Sequence, residues 1–485
     1  MSYPDVRVYR GIRYAEPPLG PLRWRPPEPV ARWTGPPKDF GFGPDPMQVL
    51  HVLPARRSLA PGVGEDCLTL NIWAPAEVPA GGAPVAVWFD GGGFIAMSGA
   101  RQRITGDAYA RRGIVFVTAN YRVGVFGYLA HPALSAESPH HVSGNYGLLD
   151  TIAALRWVRE NIAAFGGDPQ RVTAFGGSAG AAHVALQLTS PLAKGLIDRV
   201  ILRAPSALRP VATLAEAEEL GRRVAGDDLA AMRALPAEAL LAWNEEIDPG
   251  GGRLTEPRPL RPLIDGWAIP QREIDAYRSG AFAAVPMIVG NAAGEGDELI
   301  ADVPTTAVAH GNESLAGSVR TVERLREWLA RQFGPALDEA WTFYGAKSDA
   351  DVHPRLANAW GDMMSNYGVR ILAREMAKRQ PRTFRFLFSH AGAYTLNPPG
   401  HGDDMLYAYG TGEFDARDQA VSDAMIAAFS NFITNGDPNG PGAPPWTPYD
   451  PARENVLAFD NGFPEMTGWR TEQSAFAERV YDAAT

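Results

Sequence analysis

The chain has 485 residues, 45% of them apolar, which is ample for a large buried core. A formal net charge of −10 argues against non-specific binding to nucleic acid or to an acidic membrane surface. One cysteine, Cys67, excludes an intrachain disulfide, and no cluster of Cys and His has the spacing of a zinc site.

Residues 9–27 are too rich in Pro and Gly for a helix and read as an extended surface segment; residues 36–64 continue as loop. No charged-then-apolar leader opens the sequence, and the longest apolar runs are of strand length. The expectation is a cytoplasmic protein with no membrane partner. Residues 66–73 alternate and read as a strand, while 85–89 and 114–119 are continuous apolar runs, hence buried strands. The apolar positions Leu148, Ile152, Leu155, Val158, Ile162 and Phe165 have helical spacing, and Gly166 to Pro169 stops that helix. A short strand at 172–175 and a helix from Ala179 follow. This alternation implies an α/β protein with a mostly parallel sheet covered on both faces. Residues 208–280 read as a helical insertion over the C-terminal edge of the sheet. Residues 285–289 return to strand, 319–346 and 355–379 look helical, 383–389 is a strand and 390–410 a loop. Residues 422–435 form the last expected helix, before a Pro/Gly tail.

Chemistry concentrates at Gly176-Gly177-Ser178-Ala179-Gly180, a Gly-x-Ser-x-Gly pattern between strand and helix. Reversing a strand into a helix so tightly strains the turn residue, and flanking glycines remove the Cβ atoms that would block the approach. Ser178 is thereby presented above the sheet at a helix N-terminus, which suits a nucleophile whose attack creates an oxyanion. The strand at 85–89 ends in Asp90-Gly91-Gly92-Gly93, whose backbone N–H groups can turn toward a ligand. Together with the N–H of Ala179 they form a candidate oxyanion hole. Cys67 reads as a small buried hydrophobe.

Ordered stretches then give a resemblance from about residue 9 to 449. They are Gly-Ile-x-Tyr-Ala-x-Pro-Pro at 11–18, Glu65-Asp66-Cys67-Leu68, Asn120-Tyr121-Arg122-Val123-Gly124, Gly147-Leu148-Leu149-Asp150, Phe165-Gly166-Gly167-Asp168-Pro169 and Gly436-Asp437-Pro438-Asn439. The chain resembles the type-B carboxylesterases, the family that also contains the cholinesterases. The resemblance implies an α/β-hydrolase fold and one catalytic domain over residues 1–485, with helical insertions at about 208–280 and 300–380 covering the site. The family's Ser, Glu, His order falls on Ser178, on Glu295 in Gly290 to Gly296, and on His401 in His401-Gly402-Asp403-Asp404. Gly92, Gly93 and Ala179 are the implied oxyanion donors. Asp297, Glu298, His390 and His183 are rivals by residue type that lack the motif context. The implied activity is hydrolysis of neutral, fairly hydrophobic carboxylic esters through an acyl-enzyme, with no metal or organic cofactor and a small-molecule ester as partner. Carbamate or amide hydrolysis and acyl transfer use the same triad, and a non-catalytic cholinesterase-like binding protein stands further off.

The chain departs from the family at four places. Gly177 replaces a Glu, so cationic alcohols such as choline are expected to bind poorly. Asp90 replaces a His or Tyr and is expected to point away from the oxyanion hole. The cysteine partner of Cys67 is absent, which leaves the loop 46–67 unstapled. Arg203-Ala204-Pro205 replaces a Gln-Ser-Gly.

Overall fold

A computed structural model describes residues 5–31, 34–48, 58–248, 252–300 and 315–484. Ten strands form its main sheet. In chain order they are β1 (Val6–Arg13), β2 (Thr69–Pro75), β3 (Ala83–Phe89), β4 (Val115–Ala119), β5 (Gly167–Gly177), β6 (Arg199–Arg203), β7 (Met287–Ala292), β8 (Thr383–Phe388), β9 (Asn455–Phe459) and β10 (Glu465–Thr467). They lie in the order β1-β2-β4-β3-β5-β6-β7-β8-β9-β10. Every pairing from β4 through β9 is parallel, and the strands at both edges run antiparallel.

The helices named below are α1 (Tyr146–Asn161), α2 (Ala179–Thr189), α3 (Leu214–Ala225), α4 (Val322–Phe333), α5 (Val352–Gly361), α6 (Tyr367–Ala377), α7 (Asp404–Tyr409), α8 (Ala416–Asn435) and α9 (Thr471–Ala484). Successive side chains of a strand point to opposite faces, and both faces of this sheet are apolar. On β3, Val85, Val87 and Phe89 join the core that contains Leu155 and Val158 of α1 and Val184 and Leu188 of α2. Ala86 and Trp88 face the other way, onto Met425, Phe429 and Phe432 of α8. Each fully buried aliphatic or aromatic side chain contributes roughly 1.5–3 kcal/mol. The expected mostly parallel, doubly covered sheet is thus present. No described helix is long and apolar enough to cross a membrane.

Three local expectations need correction. Residues 9–13 belong to edge strand β1, and Ile12 within it and Tyr14 and Trp24 beyond it are buried rather than on the surface. The segment 390–410 is not all loop, because α7 starts three residues after His401. The chain after 435 holds β9, β10 and α9. Proline and glycine at 436–451 masked the apolar alternation that follows. Residues 208–280 do carry helices, mostly short, including α3 and Trp243–Ile247. Of the loop 46–67, residues 49–57 lie outside the described residues. Its flanks are tied by hydrogen bonds, from Asp45 N–H to Gly62 O at 2.9 Å and from Leu59 N–H to Ala100 O at 2.8 Å. The stretch of insertion at 301–314 also lies outside the described residues.

Helix α9 is a structural closure. Phe476 is 1% exposed and packs against Phe333 and Phe343, with ring centroids 5.3 and 5.5 Å away. Phe476→Ala is expected to lower the unfolding free energy by about 3–5 kcal/mol, read as a shift of the urea midpoint.

Candidate active site

Ser178 sits between β5 and α2 with φ 53° and ψ −122°. A non-glycine residue there is strained by roughly 1–3 kcal/mol, and its neighbours must hold it. A Cβ on Gly180 would lie 2.0 Å from Phe89 O, and one on Gly176 would lie 2.5 Å from Gly180 O. The two outer glycines therefore let helix α2 press against the ends of β3 and β5. The Ser178 N–H donates to Arg203 O at 2.9 Å, which ties the turn to the neighbouring strand. Ser178 stays half-buried rather than sealed.

The glycine loop after β3 touches this turn. A Cβ on Gly91 would meet the Ser178 Cβ and Gly177 O at 2.7 Å. Gly92 and Gly93 have φ 133° and 62°, conformations that favour glycine.

Glu295 and His401 come together from loops 106 residues apart in sequence. Glu295 Oε2 and His401 Nδ1 are 2.6 Å apart. The other carboxylate oxygen of Glu295 accepts the Ala292 N–H at 2.7 Å, so the acid is gripped at both ends. The loops are zipped by a parallel bridge between Gly294 and Gly400. Glycine follows Glu295 for a steric reason: a Cβ on Gly296 would fall 1.9 Å from Ala357 O in α5.

The rival residues are engaged elsewhere. Asp297 pairs with His353 at 3.3 Å, and burial raises its carboxyl above the usual range. The side chain of Glu298 lies outside the described residues. His390 Nε2 meets Asp418 Oδ1 at 2.7 Å in a buried pair. His183 is fully buried, 2.7 Å from the Tyr128 hydroxyl, and burial lowers it to about 3, which keeps the ring neutral. Cys67 is buried, and burial pushes its thiol up, as expected of a packing residue.

Residues 2–477 match the carboxylesterase family. The chain is 39% identical to "Fumonisin B1 esterase" from Sphingopyxis macrogoltabida over 468 residues, 94% of this chain and 83% of that protein. It is 30% identical to "Carboxylesterase 3" from Homo sapiens, over 93% of this chain and 82% of the other. With "Phenmedipham hydrolase" from Pseudarthrobacter oxydans it shares 31% identity, over 92% and 90% of the two chains. The protein belongs to the carboxylesterase family, with its α/β-hydrolase fold. It is a carboxylic ester hydrolase.

Three of the departures from the family now have a physical account. Asp90 is 1% exposed and both of its oxygens accept from Arg101 Nη1, at 2.9 and 3.0 Å. One oxygen also takes the Gly91 N–H at 2.9 Å. Its charge is matched by Arg101, a partner that the sequence did not indicate. Gly177 faces an indole, since a Cβ there would lie 2.8 Å from Trp88 Cη2. A larger residue at 177 requires that Trp88 move. Arg203 joins the two halves of the site, a role that sequence reading missed. Its carbonyl accepts the Ser178 N–H, and its guanidinium grips Asp404 at the start of α7, with Nε 2.7 Å from Oδ2. The replacement was visible in the sequence, but the partner 201 residues away was not.

Arg101→Met strands the Asp90 carboxylate beside the glycine loop. It is expected to cost about 3–5 kcal/mol of stability. The double variant with Asp90→Asn is expected to recover most of that loss in a urea double-mutant cycle.

Proposed function

We propose that this ester hydrolase works through Ser178 as nucleophile, His401 as general base and Glu295 as the residue that orients His401. The observation that carries this reading is the 2.6 Å contact between Glu295 and His401 Nδ1 on the same rim of the sheet as the strained Ser178 turn. With Nδ1 donating to Glu295, His401 Nε2 is the basic nitrogen, and the nearby carboxylate stabilises the imidazolium that forms.

Ser178 Oγ attacks the ester carbonyl carbon as His401 Nε2 takes the hydroxyl proton. The carbonyl oxygen becomes an oxyanion and receives hydrogen bonds from the N–H groups of Gly92, Gly93 and Ala179. Losing one such donor typically costs about 3–4 kcal/mol in the barrier. The C–O bond to the alcohol then breaks, and the imidazolium returns its proton to the departing oxygen. Water, deprotonated by His401, repeats the cycle on the acyl-enzyme and frees Ser178. These steps need no cofactor. Residues 5–484 act as one catalytic unit in this reading, with the helices within 208–280 and 315–380 covering the site.

The test is hydrolysis of p-nitrophenyl acetate, butyrate and octanoate by the purified protein. Ser178→Ala is expected to lower kcat by about 10⁴–10⁶-fold, and EDTA to leave the rate unchanged. A Ser178→Ala enzyme with undiminished turnover overturns the assignment. Glu295→Gln is expected to cost up to about 10⁴-fold in kcat, because His401 then loses its fixed tautomer.

A further inference from the structure

The wall beside the glycine loop carries an excess of positive charge that the mechanism above does not use. Arg261 lies against that loop. Its guanidinium is stacked over Phe94, 5.4 Å from the ring centre, and its Nη2 would lie 3.9 Å from a Cβ on Gly93. Arg261, Arg258 and Arg209 line one small cavity of about 50 Å³ together with Phe94, Ala182 and Glu273. Ala182 is one helical turn beyond the nucleophile, and its N–H donates to Ser178 O at 2.9 Å. The cavity therefore borders both the glycine loop and the nucleophile helix. Arg258 and Arg261 also line an adjoining, mostly apolar cavity of about 230 Å³ with Tyr128, Leu220, Ile247 and Leu260.

The charges lining the smaller cavity do not balance, and Glu216, on the lining of the larger one, is held by Thr213 at the cap of its own helix. Asp248 Oδ2 is 3.2 Å from Arg258 and 3.8 Å from Arg261, so one carboxylate serves two guanidiniums. Arg261 Nη1 otherwise donates to the Leu260 carbonyl at 3.3 Å. The buried Nε of Arg209 has no hydrogen-bond partner. Glu273 does not restore neutrality. One of its oxygens accepts the Leu208 N–H at 2.6 Å, the other has no partner, and burial pushes the carboxyl up to about 8. It is mostly protonated at pH 7. Burial and the neighbouring Arg258 lower Arg261 to about 9, so the guanidinium is held there against a desolvation penalty.

A structural role explains the Arg258–Asp248 pair and the hydrogen bond between Arg209 and Tyr481, but leaves Arg261 with one backbone carbonyl and a 3.8 Å share of Asp248. Side chains only 11% and 26% exposed, for Arg261 and Arg258, have given up most of their water. An incoming carboxylate meets them nearly dry, where charge-assisted hydrogen bonds are strongest. The smaller cavity has room for a carboxylate group, since about 10–15 Å³ of such space already holds one water.

We propose that Arg258 and Arg261, with Arg209 behind them, form a carboxylate subsite beside the oxyanion loop, so that the enzyme acts on esters carrying a free carboxylate near the scissile bond and an apolar body. This rests on the Ser178 reading above. It revises the expectation of neutral substrates and agrees with the expected poor binding of choline esters, since a cation would meet like charge.

The experiment compares ester pairs matched in carbon count, in which a terminal carboxylate replaces a methyl group. On the acyl side the pair is mono-p-nitrophenyl glutarate and p-nitrophenyl pentanoate. On the alcohol side it is 4-acetoxybutanoate and butyl acetate. In the wild type, one pair is expected to show a kcat/KM at least about tenfold higher for the anionic member, and that pair identifies the side that carries the carboxylate. Arg261→Gln and Arg258→Gln are each expected to lower the anionic-to-neutral ratio of kcat/KM by about 10–100-fold, chiefly through KM. The wild-type comparison stands even if a variant fails to fold. Neutral members preferred in both pairs, with Ser178-dependent turnover, overturn the subsite and leave the triad intact. No Ser178-dependent turnover of any of the four esters overturns the triad reading instead.

Discussion

The site depends on a single strained turn. Ser178 holds a left-handed φ that its side chain disfavours, and the rest of the rim is arranged to keep it there. The Gly91 loop presses on it from one side, Arg203 accepts its N–H from the other, and α2 sits hard against Phe89 through Gly180. None of these contacts is individually large. Together they over-determine the turn, which is how a fold sustains strain of a few kcal/mol at one residue.

Parallel strands supply the frame. Their C-terminal ends emerge on one rim, so loops far apart in sequence are delivered to one place. Glu295 follows β7 and His401 follows β8, and the Gly294–Gly400 bridge fixes their relative height. Arg203 at the end of β6 then couples the Ser178 turn to α7 through Asp404. A buried ion pair of this kind contributes little net stability, because desolvation offsets the Coulomb gain. Its value here lies in geometry, since it ties the segment that carries His401 to the strand that holds Ser178.

Two buried carboxylates beside the site illustrate how environment sets charge. Asp90 would burden an oxyanion hole if free, yet it is matched by Arg101 and a backbone N–H. Glu273 lacks such a partner, and burial pushes it up to about 8. The same residue class is thus neutralised by pairing in one place and by protonation in the other. Three arginines line the cavity with Glu273, two of them sharing Asp248, and that imbalance gives the wall beside the glycine loop its character.

The sequence by itself determined the elements that are local. The Gly-x-Ser-x-Gly turn, the buried strands β3, β4 and β5 and the helix α1 are all written in short-range periodicity and glycine placement. The assignment of Ser178, Glu295 and His401 came from local motifs set against a family resemblance. The closing elements β9, β10 and α9 were hidden, because they are short and stand behind a Pro/Gly stretch. Only the tertiary structure decided which charges meet. Arg101 with Asp90, Arg203 with Asp404, and the crowding of Arg258 and Arg261 on one Asp248 are contacts set by strand order and loop packing. Strand order is a global property of the chain, and residue spacing carries no record of it. A charged residue in a sequence shows that a charge exists; whether that charge is spent on a neighbour or left facing a pocket follows from the fold.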